Sequence, residues 1–163
     1  MPFAANRAAC HLALQAPQYF TNRIQVAIWD STDLLPNMII PSAAQIDTVL
    51  TGQTSLLSFT EERREPKGVV SITESDAQEI KLEKCDIAIM NPPFTRQERL
   101  PEKYKEVIFE RFNQYKPLIH GQLGYYGYFV FLADKFLNEN GKMALVLPAS
   151  VLRLQSCEGI RML

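Results

Sequence analysis

The sequence predicts an α/β fold, a parallel sheet with helices on both faces. Three observations predict it. Short and almost wholly apolar strands recur, at 24–29, 85–90 and 142–147. Segments of helical length and pattern separate them, and apolar strands alternating with helices imply a parallel sheet covered on both sides. Two polar residues, Asp30 and Asn91, close two of those strands, at the edge where ligands of parallel sheets gather.

Bulk properties agree. A length of 163 residues suits about one domain. Apolar residues make up 47% and charged residues 21%, which excludes a collagen, a disordered tail and a low-complexity linker. No stretch approaches the ~20 apolar residues of a membrane helix. The opening Met1-Pro2-Phe3-Ala4-Ala5-Asn6-Arg7 lacks the basic-then-apolar order of a secretory signal, so a cytoplasmic protein with no membrane partner is expected. Lys plus Arg number 17 against 18 Asp plus Glu, a net charge of −1. A protein holding nucleic acid by bulk electrostatics carries a basic excess. Any polyanion would be met here by a local patch or with help from another part. Cys10, Cys85 and Cys157 lack metal-ligand spacing and a disulfide framework. They read as small buried hydrophobes, and no metal is expected.

The elements follow in order. Residues 2–15 read as a helix, with Phe3, Leu12 and Leu14 among five alanines and Pro17 ending the pattern. Residues 24–29 are a β-branched strand ending at Asp30. Ser42 is placed to cap a short helix through Leu50. Residues 56–60 and 69–73 read as a hairpin, with the charged stretch 61–68 as its turn. Cys85-Asp86-Ile87-Ala88-Ile89-Met90 is a strand running straight into Asn91-Pro92-Pro93-Phe94. The chain from Thr95 to Lys116 is amphipathic, with six Lys or Arg against four Glu, and Pro101 is placed to start a helix. Gly121, Gly124 and Gly127 punctuate an aromatic patch. A helix carrying Phe129, Leu132, Ala133, Phe136 and Leu137 follows, capped by Asn140-Gly141. A third strand at 142–147 stops at Pro148, and Ser150 is placed to begin a last helix.

The tetrapeptide at 91–94 carries the chemistry. A residue before proline is driven out of the helical region, and each proline has its φ fixed. Asn91 and Pro92 should therefore be extended, in a stiff turn without N–H groups at Pro92 and Pro93. Such a turn presents the Asn91 side-chain oxygen and the Pro92 carbonyl as preorganised acceptors, with Phe94 as a flat apolar face beside them. Two acceptors and a stacking surface suit a planar substrate bearing an amino group. The lone pair of an exocyclic amine is delocalised into its ring. Accepting both hydrogens favours a more tetrahedral nitrogen and frees the lone pair. Holding that nitrogen in line with an electrophilic carbon adds a proximity term. The plainer alternative is a Pro-Pro strand end with Phe94 in the core. His11 and His120 are not needed as bases.

The run Cys85–Met90 with Asn91-Pro92-Pro93-Phe94 resembles the catalytic motif of S-adenosylmethionine-dependent amino-methyltransferases. Gly124-Tyr125-Tyr126-Gly127-Tyr128-Phe129, Ala133-Asp134-Lys135-Phe136-Leu137 and Gly141-Lys142-Met143-Ala144-Leu145-Val146-Leu147-Pro148 resemble the N6-adenine DNA methylases of restriction–modification systems. The similarity covers most of the chain outside 34–80. It implies a Rossmann-like methyltransferase sheet and a partial catalytic domain over 1–163, with an insertion at 34–80. By position, Asn91 and Pro92 would bind the adenine amine, Pro93 would stiffen their turn and Phe94 would stack on a base flipped from the duplex. Asp30 would match the acid that accepts from the adenine amine of the cofactor S-adenosylmethionine. Taken alone, Asp30 reads equally well as a helix N-cap or a turn.

The family's Gly-rich turn and its ribose-binding acid have no counterpart here, since no glycine precedes Gly52 and no acid precedes Asp30. The expected fold is therefore incomplete, lacking the first cofactor-binding strands. The expectation is an N-terminally truncated enzyme that binds S-adenosylmethionine weakly on its own. It would rely on a specificity subunit, or a target-recognition domain outside the chain, and on something to cover an open sheet edge. Two alternatives accompany adenine methylation of DNA. One keeps the chemistry on guanine N2 of ribosomal RNA or on a protein glutamine. The other is a non-catalytic remnant serving as an interaction module.

Overall fold

The computed structural model describes residues 2–15, 25–41, 68–70 and 79–163. Two compact units emerge, one of residues 1–30 with 38–82 and one of 31–37 with 83–163. Among the described residues there are four α-helices and three two-stranded sheets, a mixture of helix and sheet compatible with the α/β expectation.

In the first unit, α1 spans Pro2–Gln15, the bounds expected from its alanines and Pro17. Strand β1 is Val26–Ile28, β2 is Ile39–Ile40, β3 is Gly68–Val70 and β4 is Ile80–Lys81. The pairing corrects one expectation. β1 lies antiparallel to β3, with Ala27 opposite Val69, and β2 lies antiparallel to β4. A short β-branched run carries no mark of pairing direction, because its apolar pattern is the same in both kinds of ladder. The expected helix at 42–50, the first hairpin strand at 56–60 and the hairpin turn up to Lys67 lie outside the described residues.

In the second unit, β5 is Cys85–Met90, as the sequence indicates. Helix α2 is Glu102–Arg111, entered from Pro101. Helix α3 is Tyr125–Phe136, β6 is Leu137–Leu145 and α4 is the single turn Glu158–Arg161. β5 and β6 run parallel, with Ala88 opposite Met143 and Met90 opposite Leu145. Between Cys85↔Leu137 and Ile87↔Lys142 the register shifts, so β6 bulges there. Asn140 sits in that bulge with φ 67°. The Asn140-Gly141 pair therefore turns a strand and does not cap α3, which ends four residues earlier at Phe136. Ser150 also starts no α-helix. It lies in a 3-10 turn, Ala149–Leu152.

Helix α3 explains the unit. Eight of its twelve residues are buried, and a helix apolar all round belongs in a core. Its Tyr128 and Phe131 pack with Phe112, Leu123 and Cys157, and Met90, Met143 and Leu145 close the core from the sheet. The other face of the β5–β6 pair is open within this unit: Ile87 is 64% and Ile89 79% exposed. Cys157 is the buried cysteine foreseen, whereas Cys10 is exposed on α1 and Cys85 half-buried.

Candidate active site

The strand alternation of β5 runs on through the corner. Ala88, Met90 and Pro92 turn inward, and Ile87, Ile89, Asn91 and Pro93 stand outward. This is the extended course that prolines impose on the residues before them. Pro92 is buried and acts as the corner's inner peg. Asn91, Pro93 and Phe94 are exposed, Phe94 at 52%.

Both ends of the corner are tied by the backbone. The Val146 amide, just past β6, donates to the Met90 carbonyl at 3.1 Å. The Tyr125 amide donates to the Thr95 carbonyl at 3.2 Å. Tyr125 opens α3, whose first-turn amides have no intrahelical acceptor. Gly124 precedes it and offers no side-chain cap. The helix start thus needs an acceptor from elsewhere, and Thr95 supplies it. Between these two anchors, no hydrogen bond among the described residues ends on the Asn91 side chain or the Pro92 carbonyl. The corner offers two oxygens that no described residue occupies, beside a half-exposed ring.

A polar cluster lies beneath. The Arg111 guanidinium donates to Thr32 Oγ1 at 2.7 Å and pairs with Asp33 at 2.9 Å. The Tyr104 and Tyr125 hydroxyls are 2.8 Å apart. Deeper in the core, Tyr115 donates to Asp134 at 2.6 Å. Burial first, and then that bond, push its phenol well above the usual tyrosine range. Lys135 donates to the Arg111 carbonyl at 2.8 Å and sits 4.2 Å from the centre of the Phe112 ring. Its ammonium is lowered by burial.

Asn91, Pro92, Pro93 and Phe94 are brought together at the carboxyl end of β5. Asp30 is half-buried two residues beyond β1 and belongs to the other unit. His11 and His120 are exposed. Arg96, Arg99 and Lys103 follow the corner and are exposed, whereas Lys105 is held by Glu102 at 2.8 Å. A cleft of about 640 Å³ runs past Phe109, Glu110, Asn113 and Lys116, and no corner residue lines it. The two backbone anchors and the Arg111 cluster were invisible in the sequence. The seven-residue spacing of Tyr104 and Arg111, which puts them on one helix face, is the one signal that could have indicated the cluster.

The family of Eco57I restriction-modification methylases matches residues 2–163. The chain belongs to that family. No curated protein matches it. The match spans both units, and it includes the segment 34–80 that the motif resemblance leaves out. Among the described residues, no helix is long and apolar enough to cross a membrane.

Proposed function

We propose that the chain transfers a methyl group from S-adenosylmethionine to the N6 amine of adenine in DNA. The observation that carries this reading is the corner itself. Asn91 and Pro92 offer two oxygens without a hydrogen-bond partner among the described residues, beside the exposed Phe94 ring, on a turn tied at Met90 and Thr95. Family membership supports methyl transfer in a restriction–modification setting. The parallel β5–β6 pair supports a place in a larger Rossmann-like sheet, with the corner at its ligand-binding edge.

S-adenosylmethionine supplies a methyl carbon made electrophilic by its sulfonium. The half-buried Asp30 is suited to accept from the adenine amine of that cofactor. Asn91 Oδ1 and the Pro92 carbonyl accept the two N6 hydrogens of a flipped adenine, and Phe94 stacks on its ring. With the cofactor bound, the N6 lone pair, released from the ring, would form the new C–N bond as the C–S bond broke. One N6 proton then passes to solvent. Pro93 keeps both acceptors aimed, so little reorganisation accompanies the reaction. The exposed Arg96, Arg99 and Lys103 are placed to meet backbone phosphate. A specificity subunit or target-recognition domain would choose the sequence, and such an enzyme works in the cytoplasm.

Tritium transfer from labelled S-adenosylmethionine to DNA, RNA or protein tests the reading. Label recovered as N6-methyladenine in DNA is expected. Label in guanine N2 of RNA, or in a glutamine amide, would move the same chemistry to another substrate. No transfer to any of the three would favour an interaction module.

A further inference from the structure

We propose that Tyr104 and Thr32, held by Arg111, are positioning residues for the corner at 91–94. The proposal rests on the methylation reading of that corner. Tyr104 and Arg111 are seven residues apart on α2, hence on one face two turns apart. At one end Arg111 holds the 3-10 turn Ser31–Asp33 through Thr32 Oγ1 and Asp33. At the other end the Tyr104 hydroxyl meets that of Tyr125 at 2.8 Å, and Thr32 Oγ1 lies a looser 3.4 Å from the same Tyr104 oxygen. Tyr125 closes the chain of contacts, because its own amide holds the Thr95 carbonyl.

Thr32 is only 2% exposed, a polar residue kept inside by these bonds. The hydroxyls therefore fix the orientation of Tyr125, and Tyr125 fixes where the corner ends. The corner makes no backbone hydrogen bond of its own among the described residues from Asn91 to Phe94. Its geometry consequently depends on the anchors at either side. Simple packing would use phenylalanine at 104. The paired hydroxyls add direction to that packing.

Amide hydrogen exchange resolved by NMR, on the intact chain, reads the Tyr125–Thr95 bond directly. Exchange at the Tyr125 amide should quicken about tenfold in Tyr104→Phe and in Thr32→Val. Thr32→Ser keeps the hydroxyl and should restore the slow rate. Tyr115→Phe removes an equally buried hydroxyl bond elsewhere on α3 and should leave Tyr125 unchanged. In methyl-transfer assays Tyr104→Phe should lower kcat about tenfold with KM for DNA unmoved. Exchange at Tyr125 no faster in Tyr104→Phe than in Tyr115→Phe would overturn the proposal. So would a uniform rise across the β5 and β6 amides, or faster exchange with kcat intact. The methylation reading fails by a different result, an Asn91→Ala protein that keeps its full rate.

Discussion

The amide of Tyr125 donates to the carbonyl of Thr95 at 3.2 Å, tying the end of the Asn-Pro-Pro-Phe corner to the start of the most buried helix of its unit. The Val146 amide ties the other end at Met90. A four-residue span is thus stretched between two fixed points, and two prolines remove its remaining freedom.

That arrangement makes rigidity testable apart from chemistry. Pro93 is exposed and carries no amide hydrogen to lose. Replacing it with alanine should shift stability by less than about 1 kcal/mol. The loosened corner should nevertheless lower kcat about tenfold, since small misplacements of a reacting group are costly. Thermal unfolding and a turnover assay on the same sample check both halves.

Phe94 offers a second separation. At 52% exposed it contributes little to the core, so Phe94→Ala should cost under about 1 kcal/mol of stability. Loss of base stacking should weaken binding of DNA by about 1–3 kcal/mol. Phe112, fully buried beneath Lys135, is the contrasting case. Its truncation to alanine should destabilise by about 3–5 kcal/mol. Urea unfolding and fluorescence titration with DNA distinguish the two positions.

Much of this was legible in the sequence because it is local. Alanines and Pro17 bound α1, the apolar run ending at Met90 bounds β5, and the prolines dictate the extended course of Asn91. What escaped depends on partners distant in the chain. Nothing in Val26–Ile28 reveals that Gly68–Val70 will lie antiparallel to it. Gly124 and Gly127 read as loop residues, so the sequence alone suggests a helix only from about Phe129 onward. In the structure Gly124 precedes the helix and Gly127 lies within it, buried. The tie from Tyr125 to Thr95 needs two segments thirty residues apart to meet, which no spacing rule encodes.

The tyrosine-rich core predicts loss of stability in alkali. Burial raises the phenols of Tyr126 and Tyr128 to about 12 from an ordinary 10.0. A raised pKa means the folded state favours the neutral phenol. That stabilisation is complete below pH 10.0 and is lost as pH climbs toward about 12. Urea midpoints should fall across that window. Tyr128→Phe should lessen the fall, and it should cost nothing at neutral pH. The Tyr128 hydroxyl is buried without a partner among the described residues, and removing such a group is neutral or stabilising.

Close packing of α4 gives a further test. A Cβ at Gly159 would land on the carbonyl oxygen of Leu118, a backbone atom that cannot rotate away. Gly159→Ala should destabilise by about 1–3 kcal/mol, the cost of forcing backbone shifts in a packed site. The loss should appear as a lower urea midpoint with an unchanged slope.

The most direct measurement is the single-turnover rate of methyl transfer to DNA by Asn91→Ala beside the wild type, with circular dichroism confirming the same fold. Asn91 is exposed and its side chain has no partner among the described residues, so the substitution leaves the structure standing. A fall of about 10²–10³ in rate is expected from losing one preorganised acceptor. A variant that transfers methyl groups as fast as the wild type would contradict the account.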